Sequence, residues 1–387
     1  MKNIINSLLH TFLVITVFLL LPSCNSEEPD IPPHRTILVY IAANNSLGDY
    51  GCDYSDINEM KSAALAGHIG HGNRLLIFHA PRSGSKILYE MDSEGELSII
   101  KEYDTSTSVI ESDFMLGVFN DAKAWAPAPD YGLIMWSHAL GWTQDGQEDN
   151  GPIATPKTWG EDRGRTMNIS TLKRVLKESP WSWVYFDCCF MGSVEVAYEL
   201  APVLDKMVAS STEVPLDGMP YEKNIPLLFK DTPDLVGAAR NTFQYYNNLN
   251  GSSRTCTIGV YDLTKMNSLA TATKNIYQYT PSVNAKDFNN LPLDIYTPHL
   301  FYDYGVFING LFQFKDVDAE LIKQWKEAYA DVVIFHASTP MLWNRIDLSD
   351  STGLSTYLPD ASYQATNSTY KNYESLSWYK DVAKYIF

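Results

Sequence analysis

Short runs of apolar residues alternate along this chain with longer amphipathic stretches. The apolar runs predict strands, which we assign to Thr36–Ala42, Arg74–His79, Leu97–Tyr103, Gly132–Ser137, Trp183–Asp187, Lys206–Ser210, Thr257–Tyr261 and Gly353–Leu358. The stretches with a helical period predict helices at Asp53–Leu65, Ser112–Trp125, Ser170–Lys177, Leu263–Tyr279 and Ala319–Val332. This order of elements is typical of an α/β fold, in which a mostly parallel sheet is sandwiched by helices.

The N-terminal segment has the pattern of a targeting signal. Lys2 precedes an uncharged apolar stretch from Leu8 to Leu21, which is short for a membrane span but typical of a secretory signal. The residues before Cys24 resemble the end of a bacterial lipoprotein signal, in which the cysteine becomes the lipidated N-terminus. An ordinary cleaved signal is the alternative.

We therefore predict a signal peptide at 1–23, lipidation at Cys24 and an acidic tether at 24–34. Acidic residues behind Cys24 resemble the export signal of surface lipoproteins, so we expect the protein to be lipid-anchored to the outer membrane and exposed at the cell surface. Proline and asparagine become more frequent at 281–298. We predict an α/β core at 35–225 and a C-terminal region at 226–387 that packs on this core and completes it.

Composition narrows the class of protein. Of the 387 residues, 45% are hydrophobic and 13% aromatic, which fits a well-packed globular protein. The formal net charge of −17 argues against nucleic acid as a partner, because a phosphate backbone would be repelled. Besides Cys24 the chain has Cys52, Cys188, Cys189 and Cys256, whose irregular spacing predicts neither a disulfide scaffold nor a zinc site.

Two of the apolar runs end in reactive side chains. The run from Gly132 is followed by His138, and the run from Trp183 leads into Asp187-Cys188-Cys189. Ligands of an open α/β sheet bind outside the carboxyl ends of its strands, so neighbouring strands would bring His138 and a cysteine to one edge. A deprotonated thiol attacks a carbonyl carbon, and an imidazole can take the proton and later give it to the leaving amine.

Cys189 is the candidate nucleophile of the pair. It lies at the strand-to-helix turn, whereas Cys188 points the other way and is expected to pack in the core. A helix beginning near Met191 would bring its positive end close to Cys189 and favour the thiolate. On spacing alone, a buried unreactive cysteine and a structural histidine remain the alternative.

Around these residues the chain resembles the clostripain family of cysteine peptidases, clan CD, which is related to the caspases. Asp187-Cys188-Cys189-Phe190-Met191-Gly192 is similar to the family's Asp-Ala-Cys-Leu-Met-Gly block, with Cys189 at the nucleophile. Trp136-Ser137-His138-Ala139-Leu140-Gly141-Trp142 resembles its Trp-x-His-Gly-x-Gly-Trp segment. Further similarity lies at Thr36–Asn45, Asp56–Met60, Glu213–Tyr221 and Gly353–Asp360. The resemblance implies a caspase-like α/β fold with a C-terminal extension, and endopeptidase activity with His138 as acid and base.

The resemblance also implies an oxyanion hole made by the backbone N–H groups of Ala139 and Cys189. The family usually has glycine where this chain has Ala139. The hole therefore keeps its shape only if the backbone at this position does not require a positive φ. An inactive paralogue is the alternative.

By resemblance, Asp187 and Asp217 would form an acidic S1 pocket. A buried pair of carboxylates is a natural partner for a basic P1 side chain. Glu213 would substitute for Asp217 if the loop is shifted. The alternative is that Asp187 caps a helix and Asp217 belongs to an ordinary turn.

Members of the resembled family mature by cutting themselves after a basic residue between the histidine and the cysteine. In this chain Lys157, Arg163 and Arg165 are the basic residues of the loop-forming stretch 143–165. An uncleaved surface loop is the alternative.

The predicted chemistry requires no metal or organic cofactor. Calcium is used within the resembled family, but the acidic stretch 145–151 does not match a calcium loop, so no site is assigned. We expect peptide or protein substrates, membrane contact through the N-terminal lipid only, and a monomer. The rival function is a surface lipoprotein that binds peptide or glycan without cleaving it.

Overall fold

The fold is built on one nine-stranded sheet. The computed structural model describes residues 33–143, 158–280, 283, 288–314, 316–359 and 368–387. The strands are, in chain order, β1 (Arg35–Ala42), β2 (Asn73–Ala80), β3 (Lys86–Met91), β4 (Leu97–Tyr103), β5 (Tyr131–Trp136), β6 (Trp159–Asp162), β7 (Arg165–Met167), β8 (Trp183–Asp187), β9 (Lys206–Ala209), β10 (Thr257–Asp262), β11 (Tyr302–Asp303), β12 (Val333–Ser338), β13 (Met341–Leu342), β14 (Ile346–Asp347) and β15 (Ser355–Thr356).

The strand order of the main sheet is β12-β10-β9-β8-β5-β1-β2-β3-β4. The five central strands, from β9 to β2, are parallel, and antiparallel strands flank them on both sides. The carboxyl ends of the five central strands therefore lie along one edge of the sheet, where open α/β sheets bind their ligands. The short pairs β6–β7, β11–β15 and β13–β14 lie outside this sheet.

Helices cover both faces of the sheet. They are α1 (Ser46–Asp49), α2 (Cys52–Leu65), α3 (Ser112–Trp125), α4 (Ile169–Glu178), α5 (Val194–Leu200), α6 (Tyr221–Leu228), α7 (Leu235–Asn247), α8 (Met266–Tyr279), α9 (Tyr304–Phe314), α10 (Ala319–Val332), α11 (Ser368–Ser375) and α12 (Ser377–Asp381). Side chains alternate along a strand, so Leu38 and Tyr40 enter one core and Ile37 and Val39 the other. A strand that is buried on both faces is apolar throughout, and for that reason the central strands were visible in the sequence. The predicted α/β class is confirmed.

The C-terminal region contributes directly to this sheet, because β10 and β12 extend it beyond β9. Residues 33–387 form one compact unit, and the boundary predicted at 225 stays a prediction. Aromatic residues of the C-terminal tail, among them Tyr373 and Trp378, are buried and pack as helix residues. The predicted strand at Gly353–Leu358 is shorter than expected, since only Ser355–Thr356 pairs with another strand.

The predicted signal peptide, Cys24 and most of the tether lie outside the described residues, and their roles stay predictions. In the described part of the chain, no helix has the length and apolar character needed to cross a membrane.

Candidate active site

A cleft of about 750 Å³ opens at the carboxyl edge of the central strands. It is lined by Ser46, Leu47, Trp136, Ser137, His138, Ala139, Leu140, Glu161, Asp187, Cys188, Cys189, Phe190, Glu213, Val214, Pro215, Leu216, Gly218, Tyr296 and Trp343. Most of these residues end or follow β1, β5, β8 and β9, and Glu161 of β6 and the C-terminal region complete the lining. The cleft has the size of an ordinary small-ligand or peptide site.

His138 and Cys189 reach this cleft because of the register of their strands. Trp136, the last residue of β5, lies opposite Asp187, the last residue of β8. His138 and Cys189 are each the second residue after the end of a strand, so both lie at the same height above the carboxyl edge of the sheet. The buried Ser137 hydroxyl donates to the Ala42 carbonyl at 2.9 Å, which joins the end of β5 to the end of β1.

The imidazole of His138 has a polar neighbour that the sequence did not indicate. Its Nε2 lies 2.8 Å from the hydroxyl of Ser46, in the segment that follows β1. A hydroxyl that accepts the Nε2 proton leaves Nδ1 as the basic nitrogen of the neutral ring. Ser46 therefore has the position of a group that orients the imidazole.

The two adjacent cysteines have different environments, as predicted. Cys188 is buried in the hydrophobic core, whereas Cys189 is partly exposed. The Val214 backbone N–H donates to the Cys189 sulfur at 3.3 Å. Burial raises the pKa of the Cys189 thiol to about 12, and the acidic side chains of Glu213 and Asp187 raise it further while the Val214 N–H opposes them. The resting thiol therefore carries its proton at neutral pH.

The helix expected near Met191 begins later than predicted. α5 starts at Val194, with the Ser193 side chain as its N-cap. The intervening residues form a turn, and the Gly192 N–H bonds the Ser210 carbonyl at 2.7 Å instead of entering the helix. The prediction that the helix begins near Met191 was wrong, and its effect on Cys189 stays a prediction.

The turn after Cys189 is fixed by a residue in a rare conformation. Phe190 has φ +59, a left-handed value that non-glycine residues seldom adopt. Its ring stacks on Phe301 with centroids 4.3 Å apart, and its N–H bonds the Thr212 carbonyl at 2.9 Å. Packing and hydrogen bonding thus hold Cys189 at a sharp corner of the chain.

Gly141 allows the histidine segment to approach this corner. A Cβ at Gly141 would lie 2.6 Å from the Phe190 carbonyl oxygen, and its φ of +59 also favours glycine. By contrast, Ala139 is not among the described non-glycine residues with positive φ. Its bridge to Trp159 uses the N–H groups of Leu140 and Gly160. Alanine therefore fits at 139, and the oxyanion roles of Ala139 and Cys189 stay predictions.

Asp187 lies in the wall of the cleft with its carboxyl group largely buried. The Tyr221 hydroxyl donates to its Oδ2 at 2.9 Å. A Cβ at Gly218 would lie 2.8 Å from the same oxygen, so glycine is required there. Burial raises the pKa of Asp187 to about 6, opposed by the Met219 N–H and the Tyr221 hydroxyl. The group is therefore ionised for the most part at neutral pH.

A second buried carboxyl group lies near Asp187. Asp56, on α2, accepts a hydrogen bond from the Trp136 indole N–H at 2.6 Å. Burial and the charge of Asp187 raise the pKa of Asp56 to about 9. Asp56 belongs to the sequence block Asp56–Met60, but nothing in that block indicated a position beside the pocket.

The structure does not bring Asp217 into the cleft wall. Among the described residues, the lining includes its neighbours Leu216 and Gly218 but not Asp217 itself. The Asp217 carboxylate is exposed and accepts a hydrogen bond from the Tyr245 hydroxyl at 3.1 Å. Glu213, named as the substitute, does line the cleft. The S1 roles of Asp187 and Asp217 stay predictions.

Two of the three predicted self-cleavage positions lie in the β6–β7 hairpin. Arg163, at its tip, has φ +54 and donates its N–H to the Asn44 carbonyl at 3.1 Å. The Arg165 guanidinium donates to Glu111 at 2.9 Å. The neighbouring Asp162 is buried and accepts from the Asn44 side chain at 2.8 Å. Lys157 lies outside the described residues.

The described cysteines are all free thiols. Within the described ranges, no group of three or more His, Cys, Asp or Glu side chains is arranged to hold a metal ion. We therefore name no residues for Ca²⁺.

A thiol and an imidazole at the ends of adjacent parallel strands, beside a cleft, define a cysteine-dependent hydrolase as the class of site. The clostripain family model of the C11 peptidases matches residues 39–385 of the chain. The chain therefore belongs to the clostripain family of cysteine proteases, which act on peptide or protein substrates and whose chemistry needs no cofactor.

Solved structures of related proteins agree with this assignment. The chain is 26% identical to a secreted C11 cysteine protease from Bacteroides thetaiotaomicron, solved with an irreversible peptide inhibitor, with a TM-score of 0.76 over 90% of this chain and 99% of that one. An inactive zymogen C11 protease from Parabacteroides distasonis, 23% identical, has the same fold, with a TM-score of 0.75 over 91% and 98%. A clostripain from Bacteroides thetaiotaomicron, in complex with the peptide inhibitor BTN-VLTK-AOMK, is 26% identical, with a TM-score of 0.51 over 57% and 97%. No curated protein sequence matches the chain.

Replacing the hydroxyl next to His138 should weaken catalysis moderately. We expect Ser46→Ala to lower kcat by roughly threefold to tenfold, the effect of losing a hydrogen bond of about 1 kcal/mol, and to shift the pH–kcat/KM profile. Ser46→Thr, which keeps the hydroxyl, should retain most of the activity and the original profile. Unchanged kcat and pH profile in Ser46→Ala would mean that the contact with His138 has no catalytic consequence.

The buried Asp56 should make the protein less stable as the pH rises. Its pKa is raised in the folded state, so the folded protein holds a proton that the unfolded chain loses above about pH 4. The free energy of unfolding should therefore fall between pH 4 and 9. In a Cys189→Ala background, which removes the candidate nucleophile, we expect Asp56→Asn to raise the Tm by a few degrees at pH 8 and by less at pH 5.

The control for this experiment is Asp350→Asn, a change at an exposed turn position. It should leave the Tm difference between pH 5 and pH 8 unaltered. If Asp56→Asn also leaves that difference unaltered, Asp56 does not carry a proton in the folded protein at neutral pH.

Proposed function

We propose that this protein is a cysteine endopeptidase that cleaves peptide bonds after arginine or lysine, with Cys189 as nucleophile and His138 as acid and base. The observation that carries the proposal is that one cleft contains the Cys189 thiol, the His138 imidazole and the buried carboxyl group of Asp187. The first two supply the bond-breaking chemistry, and the third supplies the charge that selects a basic substrate.

The reaction begins with a proton transfer. Because the pKa of the Cys189 thiol is raised, the thiol proton moves to the Nδ1 of His138 as the sulfur attacks the carbonyl carbon after the P1 residue. The carbonyl oxygen becomes an oxyanion, which the backbone N–H groups of Ala139 and Cys189 stabilise. The Val214 N–H, 3.3 Å from the sulfur, favours the charged form of Cys189 during this step.

The C–N bond then breaks. His138 gives its proton to the leaving amine, and the acyl group stays on the Cys189 sulfur as a thioester. Neutral His138 next removes a proton from a water molecule that attacks the thioester carbon. The C–S bond breaks, the new carboxyl end of the substrate is released, and the thiol recovers its proton from His138.

The preference for a basic P1 residue follows from the cost of the buried charge. Asp187 is ionised for the most part at neutral pH, and its burial leaves it poorly hydrated. A guanidinium or ammonium group that enters the cleft compensates this charge, whereas an acidic or apolar side chain does not. The inhibitor BTN-VLTK-AOMK of the related clostripain has lysine next to its terminal AOMK group, which supports the same preference.

Two other functions compete with this proposal. An inactive paralogue is disfavoured because both reactive residues are present and the backbone at Ala139 does not require glycine. A surface lipoprotein that binds peptides without cleaving them would use the same cleft but would not need a reactive thiol. Peptidase assays on defined variants separate the three.

Removing the nucleophile tests the proposal directly. We expect Cys189→Ala to abolish cleavage of fluorogenic Arg and Lys peptides while the circular dichroism spectrum stays unchanged. Cys188→Ala is the matched control. Because Cys188 lies in the core, its truncation should cost about 1 kcal/mol of stability but keep most of kcat/KM. If Cys188→Ala alone loses activity, Cys188 rather than Cys189 is the nucleophile. If the wild type is inactive, the protein that binds peptides without cleaving them is favoured.

Neutralising the buried carboxylate should change specificity more than stability. We expect Asp187→Asn to lower kcat/KM for Arg and Lys substrates by about 30-fold or more, because removing one charge of a buried pair costs roughly 2–5 kcal/mol. The Tyr221 hydroxyl can still donate to the asparagine carbonyl. Glu199→Gln, a buried change away from the cleft, is the control. Equal wild-type turnover of Arg, Leu and Asp substrates would falsify the acidic pocket.

We also propose that the protein cuts itself, and that it does so after Lys157. A peptidase binds its substrate in an extended form, so a cut after Arg163 or Arg165 would first require β6 and β7 to separate. The contacts of Arg163 with Asn44 and of Arg165 with Glu111 oppose this separation. Lys157 is the remaining candidate.

Purified wild type should therefore yield two associated fragments, the second of which begins at Thr158. Lys157→Ala and Cys189→Ala should each stay as one chain. The double variant Arg163→Ala/Arg165→Ala should be cut as the wild type is, as judged by N-terminal sequencing. A new end at Gly164 or Thr166 would refute the assignment to Lys157, and an intact, fully active wild type would exclude self-processing from the mechanism.

A further inference from the structure

One wall of the cleft is built from three distant segments that meet around a single carboxylate. Glu213 follows β9, Tyr296 precedes β11, and Trp343 lies between β13 and β14. We call these three residues the aromatic wall. All three line the same cleft as Cys189.

The polar atoms of the aromatic wall are directed at one another. The Trp343 indole N–H donates to Glu213 Oε2 at 2.6 Å. The Tyr296 hydroxyl also interacts with Glu213, since each group shifts the pKa of the other. Burial raises the pKa of both Glu213 and Tyr296. Because Glu213 engages the polar edges of both rings, the ring surface that Trp343 and Tyr296 add to the cleft lining is apolar.

The chain holds Trp343 in this position at a conformational cost. Trp343 has φ +51 and Asn344 has φ +55, so two successive non-glycine residues adopt the left-handed conformation. The Trp343 N–H bonds the Thr255 hydroxyl at 3.1 Å, just before β10. Left-handed non-glycine residues concentrate at ligand sites, where the surrounding contacts maintain them.

The strand order shows which part of a substrate reaches this wall. Along the sheet edge the order is β10, β9, β8, β5 and β1. His138 follows β5, on one side of Cys189, and it must face the leaving amine because it protonates that group. Glu213 follows β9 and Trp343 lies near the start of β10, both on the opposite side of Cys189. The aromatic wall therefore faces the acyl part of the substrate.

The distance between β8 and β10 indicates which substrate residues reach the aromatic wall. Neighbouring strands lie about 4.8 Å apart, so β10 is about 10 Å from β8. An extended peptide advances about 3.3 Å per residue. A substrate whose P1 carbonyl lies at Cys189 thus brings its P2 and P3 side chains to the aromatic wall.

We propose that Trp343, Tyr296 and Glu213 form a subsite for a bulky apolar or aromatic side chain at P2 or P3 of the substrate. This proposal rests on the proposed peptidase function and adds a second determinant of its specificity. The chemistry of the occupant follows from the ring faces and from the neighbouring apolar residues Val214 and Leu216, which line the same cleft. The preferred substrate class is a peptide with an apolar residue shortly before a basic one.

Matched substrates test this subsite. Wild type, Trp343→Ala and Trp343→Phe are assayed on acetyl-Phe-Leu-Arg and acetyl-Gly-Gly-Arg fluorogenic amides. We expect wild type to prefer the first by about tenfold or more, as apolar pockets typically discriminate. Trp343→Ala should reduce this preference, measured as the ratio of kcat/KM for the two amides, to about twofold. Trp343→Phe should keep most of the preference.

A binding measurement separates this subsite from the catalytic proposal. In a Cys189→Ala background, titration calorimetry compares the two peptides as plain amides, with and without Trp343→Ala. Tighter binding of the Phe-Leu peptide that depends on Trp343 supports the subsite even if wild type cleaves nothing. Equal binding of the two peptides, or a preference that survives in Trp343→Ala, overturns it. A Trp343→Ala variant that fails to fold is replaced by Tyr296→Leu, which should reduce the same preference.

Discussion

The alignment of two parallel strands, with Trp136 opposite Asp187, is the constraint on which the rest of the site depends. It brings His138 and Cys189 out of the sheet at one level. It also aims the Trp136 indole at Asp56 on one face of the sheet, while the Asp187 carboxyl group receives the Tyr221 hydroxyl. A slip of one residue in β8 would turn the side chains of β8, including Asp187, to the opposite face relative to β5. Two contacts outside the strands stabilise this alignment: Ser137 bonds Ala42 at the end of β1, and Gly141 packs closely against Phe190 after β8.

The charges in the cleft keep the Cys189 thiol protonated in the absence of substrate, and a cationic substrate side chain changes this balance. Asp56 holds a proton at neutral pH, Asp187 has lost most of its own, and the Cys189 thiol keeps its proton. Burial, which disfavours the charged form, raises all three pKa values, but hydrogen bonds from Met219 and Tyr221 oppose this rise at Asp187, whose pKa reaches only about 6. A cationic side chain beside Asp187 reverses the balance locally, because it stabilises the carboxylate and weakens the negative potential that opposes a thiolate. On the proposed function, substrate binding and nucleophile activation are therefore linked by the same electrostatic field.

The central strands, which are buried on both faces, could be predicted from the sequence because they are rich in apolar residues. The strands β1, β2, β5 and β8 are apolar over most of their length and were located to within a residue or two. The strand β3, next to one edge of the sheet, and the edge strand β12 are only partly buried and were missed, whereas the exposed edge strand β4 was predicted. The helix after Cys189 was predicted too early, because Gly192 pairs with Ser210 before the helix starts. Tertiary packing alone brings three further residues to or near the cleft, Ser46, Asp56 and Trp343. The local sequence around each of them does not indicate this position.

Ala139, where the family usually has glycine, shows that a glycine in a motif can be present for either of two reasons. A glycine in a motif is needed either for a left-handed backbone or for the absence of a side chain. At Gly141 both requirements apply, since φ is +59 and a Cβ would meet the Phe190 carbonyl at 2.6 Å. At Ala139 the backbone makes no such demand, and the residue is nearly buried among core neighbours that accept its methyl group. The N–H, which is the group that an oxyanion needs, is common to alanine and glycine. The substitution therefore alters the packing beside the histidine and leaves the hydrogen-bonding group in position.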